Sequence, residues 1–89
     1  MTHDDRLFRQ LAADSPVTRP EILTFIQEFV DAGEYGLAFD TLCAWIQEDE
    51  LPITRAYFAR LVTAADALYH PQLIEHYQLD KFIIPGFGE

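Results

Sequence analysis

The chain has 89 residues and carries fifteen Asp and Glu against six Lys and Arg, a formal net charge of −9. That length allows one domain burying on the order of 60 to 65% of its unfolded surface, and seven Phe, four Tyr and one Trp supply the apolar area to do so without a metal or disulfide. The acidic balance disfavours direct binding to nucleic acid or anionic lipid, no apolar run reaches the length of a membrane span, and the one cysteine, Cys43, has no intramolecular disulfide partner.

The charged start, MTHDDRLFRQ, lacks the apolar stretch of a secretory signal, so a reducing cytoplasm is the expected setting. Residues 4–13 read as a short helix with Leu7, Phe8 and Leu11 on one side and Asp4 and Asp5 at the dipole's positive end. Asp14, Ser15 and Pro16 end it, and its position predicts a lid over the rest. Thr18 and Glu21 have capping-box spacing around Pro20, which predicts a second helix from Arg19. Its apolar set is Ile22, Leu23, Phe25, Ile26, Phe29 and Val30. Gly33 stands where a left-handed residue would end that helix and turn the chain into an antiparallel hairpin.

The third helix is the centre of the chain. Tyr35, Ala38, Phe39, Leu42 and Ile46 recur at three- and four-residue intervals and define its core side, with Trp45 on the flank. Leu37, Asp40, Thr41, Ala44, Gln47 and Glu48 lie opposite. Leu51, Pro52 and Ile53 form an extended connector, Thr54 caps a fourth helix over 55–68, and Pro71 opens a short fifth over 72–77. That fourth helix has Tyr57, Phe58, Leu61, Val62, Ala65 and Leu68 facing the core. Residues 79–89, with Phe82, Ile83, Ile84 and Phe87 around Pro85, Gly86 and Gly88, suit an extended strap. The expected fold is therefore all-α: a single-domain bundle of four to five short helices over 1–89, closed by a C-terminal strap.

Charge is unevenly spread. From Pro20 to Thr54 there is no Lys or Arg, while Glu21, Glu28, Asp31, Glu34, Asp40, Glu48, Asp49 and Glu50 are all present. The hairpin would gather Glu28, Asp31, Glu34 and Asp40 at one end, and Glu48, Asp49 and Glu50 at the far end of the third helix, where the dipole disfavours acids. With Leu37 and Ala44 between them, these residues form the expected partner-binding surface, suited to a cationic protein. Chemistry is not indicated: His3, His70 and His76 lack metal-site spacing, and there is no phosphate loop, Ca²⁺ loop or nucleophile–base pattern, so neither catalysis nor a cofactor is expected.

The segment DAGEYGLAFDTLCAWIQEDELPI at 31–53 joins a GEYG turn, a helix bearing Leu42 and Cys43, the acids Glu48, Asp49 and Glu50, and Pro52 and Ile53 leading to the Thr54 cap. In that combination it resembles the Maf-type and contact-dependent growth inhibition immunity proteins of bacterial polymorphic toxin systems, over residues 19–69. The resemblance implies a small cytoplasmic helical protein that binds and neutralises a cognate toxin domain, often a nuclease such as an RNase or DNase. It assigns no contact residues, and residues from His70 onward lie outside it. The competing reading is a helical adaptor that binds a basic segment of another cellular protein with modest affinity.

Overall fold

The computed structural model describes residues 3–85. Five α-helices follow one another: α1 (His3–Ala13), α2 (Pro20–Asp31), α3 (Tyr35–Glu48), α4 (Arg55–Ala67) and α5 (Gln72–His76). A 3-10 turn, Leu79–Phe82, comes next, and an isolated parallel bridge joins Ile53 to Ile83. The fold is all-α. No helix among the described residues is long and apolar enough to cross a membrane.

α3 is central, packing against α1, α2, α5 and the 3-10 turn. It buries Ala38, Phe39, Leu42, Cys43 and Ile46, the expected core side with Cys43 added and Tyr35 only half-buried. α2 lies against it as an antiparallel partner through Ile22, Ile26 and Val30. Gly33, at φ 75°, makes the turn: its N–H donates to the Val30 carbonyl and the Glu34 N–H to the Phe29 carbonyl, the paired bonds of a Schellman motif.

α1 is not a lid. Phe8, Leu11 and Ala12 are buried, and the Phe8 ring stacks on Tyr35 at 5.5 Å and meets Phe39 edge-on at 6.2 Å. The Tyr57 hydroxyl donates to the Leu11 carbonyl at 2.6 Å, giving a partner to a backbone acceptor in the last turn of α1. Four α-helices thus share one core, to which Leu79 of the 3-10 turn also contributes.

Three further expectations change. α2 begins at Pro20, not Arg19, and has no side-chain cap. The residue before a proline is pushed out of helical geometry, so Arg19 takes an extended backbone (φ −71°, ψ 114°) and serves as N-cap, which displaces Thr18 from that role. Phe25 is 51% exposed. It lies roughly 100° around the helix from the line through Ile22, Ile26 and Val30, beyond the reach of the core. The expected strap starts instead as the 3-10 turn and becomes extended only at Ile83, and its end, 86–89, lies outside the described residues. The Thr54 cap is present, its hydroxyl accepting from the Tyr57 N–H at 3.0 Å.

Candidate functional site

The nine residues of the expected surface meet different surroundings. Asp31 pairs with Arg9, which also holds Asp5 through a guanidinium bond of 2.6 Å. Asp49 is gripped in two-pronged fashion by Arg19 at 2.7 and 3.2 Å, and that guanidinium lies over the Trp45 ring at 5.4 Å. Hydrogen bonding to Arg19 holds the Asp49 carboxyl below the usual carboxylate range. Cations from outside the Lys- and Arg-free segment therefore fold back and answer two of its acids. Glu28 is exposed on α2, and Glu48 and Glu50 are exposed at the end of α3.

The outer face of α3 is also partly covered. α5 and the turn after it pack across it, with the Tyr77 hydroxyl donating to Asp40 Oδ1 at 2.7 Å and the Gln47 amide donating to the Tyr77 carbonyl at 3.1 Å. Burial, with the bond to Asp40 second, pushes the Tyr77 phenol up to about 12. Ala44 is half-buried. Asp40 is consequently a held acceptor and not a freely solvated charge.

What the structure does bring together is an open groove of about 350 Å³ between the start of α3 and the α4–α5 junction, lined by Glu34, Gly36, Leu37, Asp40, His70 and Leu73. Glu34 is the N-cap of α3, where the helix dipole favours an acid. Leu37 and Asp40 follow at intervals of three, so the three side chains share one side of the helix. Leu37 is 51% exposed and Leu73 is half-buried from the other wall. Glu34, Leu37 and Asp40 belong to the expected surface. His70, Leu73 and Tyr77 do not: Leu73 and Tyr77 fall within the expected fifth helix, but nothing local says which part of α3 they reach.

A second groove, about 290 Å³, lies beside Asp14, Pro52, Thr54, Tyr57 and Arg60. Its polar groups already satisfy one another: Arg60 pairs with Asp14 at 3.1 Å and sits over the Tyr57 ring at 5.3 Å. Cys43 is buried and its thiol is pushed up by burial, which leaves it little thiolate character. Among the described residues no group of His, Cys, Asp or Glu could hold a metal ion. An acid-rimmed, leucine-floored groove can bind a cationic, partly apolar group, whose charge meets Glu34 and Asp40. No protein-family model, curated protein or solved structure matches the chain.

Proposed function

We propose that this chain is an immunity-type inhibitor that binds a cationic toxin domain and neutralises it in the cytoplasm. A nuclease is the toxin class its charge suits, because a cleft that grips phosphate must be basic and an acidic helical surface can occupy it instead. The observation that carries this reading is the groove at the start of α3, where Glu34 and Asp40 flank the exposed Leu37 in a chain of net charge −9. Opposite charge speeds encounter, and the apolar side chains slow release. The resemblance over 19–69 supplies the toxin as partner, and the groove supplies a surface for it.

The test is growth. The protein is co-expressed with the toxin-type C-terminal domain encoded beside it, and survival is compared with and without it. Selective rescue from a lethal domain is expected. A domain that kills equally in both cases removes the inhibitor reading and leaves the adaptor, whose partner is a basic segment of another protein.

A further inference from the structure

Gly36, which lines this groove, and Tyr69, next in sequence to its His70, are both residues that cost the fold stability. Gly36 is the second residue of α3, where a Cβ would meet nothing within 4 Å, so alanine would fit and would favour the first turn of the helix. Tyr69, one residue before the groove-lining His70, holds φ 60° just past the end of α4, a backbone suited to glycine. It is 88% exposed, the most exposed of the large apolar side chains among the described residues. Neither choice is explained by packing among the described residues. Both are explained by an occupant: a glycine lets another backbone approach closely, and an exposed aromatic supplies binding area at small entropic cost.

We infer that an arginine-bearing extended segment of the partner lies in this groove, passing over Gly36 and gripped by Tyr69. The inference rests on the binding reading above and names the partner chemistry. Glu34 and Asp40 set the sign of the charge, and Leu37 and Leu73 accept the aliphatic stem. Arginine suits the groove better than lysine because a planar guanidinium can hydrogen-bond a carboxylate at its edge while its face stacks on tyrosine. A phosphate-bearing ligand is repelled by the same acids. A metal is poorly served, since one Asp40 oxygen already accepts from Tyr77.

The probe is a capped peptide alternating arginine with alanine and leucine, titrated into the ¹⁵N-labelled protein beside its neutral citrulline counterpart. Saturable shifts confined to the amides of Glu34, Gly36, Leu37, Tyr69, His70 and Leu73 are expected, with the citrulline peptide about ten-fold weaker. Gly36→Ala and Tyr69→Gly should each raise the unfolding midpoint and each weaken the arginine peptide about five-fold, an opposition that a purely structural role would not produce. Tyr69→Asn, which also tolerates the left-handed backbone, checks that the loss follows the ring. Absent shifts, or shifts spread evenly to Glu28, Glu48 and Glu50, overturn the groove; unchanged peptide affinity in the Tyr69 variants overturns the grip. Growth rescue without groove shifts removes this inference and keeps the inhibitor. Groove shifts without rescue do the reverse.

Discussion

Glu50, at φ 49°, occupies the same position after α3 that Gly33 occupies after α2. Its N–H donates to the Gln47 carbonyl and the Leu51 N–H to the Ile46 carbonyl, so the motif is complete with a glutamate in the left-handed place. A side chain there crowds the backbone, and its charge opposes the helix dipole. Glu50→Gly is therefore expected to stabilise the fold by about 1 kcal/mol, read as a higher midpoint in denaturant unfolding. Tyr57 carries the opposite kind of residue-scale effect. Tyr57→Phe leaves the Leu11 carbonyl without its donor and should cost about 1 to 3 kcal/mol. Burial raises the Tyr57 phenol above its ordinary value, so its contribution is complete below the unfolded tyrosine pKa of about 10 and is lost as pH rises beyond it. The alkaline fall in stability should be shallower in the phenylalanine variant, with Tyr77, also raised, accounting for part of what remains.

Among the elements, α1 most changes what the sequence suggests. Phe8 reaches across to two aromatic rings of α3, so Phe8→Ala is expected to cost about 3 to 5 kcal/mol, close to the loss for Phe39→Ala. A cost near that of a surface substitution would return α1 to the role of a lid. Periodicity made α2, α3 and α4 legible, because apolar residues three and four apart leave no other regular element for those segments. Gly33 and Thr54 were legible for the same local reason, each carrying the backbone freedom or the oxygen its position requires. The left-handed Glu50, Tyr69 and Gln78 were not, since nothing in an ordinary L-residue announces that backbone. Nor was the far wall of the groove. Glu34, Leu37 and Asp40 share a helix and can be read together, whereas His70 and Leu73 arrive from a segment some thirty residues on, by tertiary packing alone. Asp40 shows the same limit, as the phenol that covers it comes from Tyr77.

At the scale of the whole molecule, charge is balanced locally but not globally. Arg9–Asp31 ties α1 to α2, Arg19–Asp49 ties the start of α2 to the end of α3, and Arg60–Asp14 ties α4 to the end of α1. All three are solvent-exposed, and such pairs contribute little individually. The surplus acids repel one another over a much larger area, so added sodium chloride should raise the thermal midpoint: screening removes more repulsion than attraction. A midpoint that falls with salt would show that the ion pairs outweigh the repulsion.

The bridge between Ile53 and Ile83 bears on how the molecule opens. The Ile53 N–H donates to the Phe82 carbonyl at 2.9 Å and the Ile84 N–H to the Ile53 carbonyl at 2.8 Å, so two amides far apart in the chain are protected by one junction. Between them lie α4, α5 and the 3-10 turn, a loop whose ends meet there. In deuterated solvent these two amides should show matched protection once their intrinsic exchange rates are divided out, because Ile53 makes both bonds. Their shared opening energy would then measure how firmly the segment after the 3-10 turn is latched to the connector between α3 and α4, separately from the unfolding of the whole.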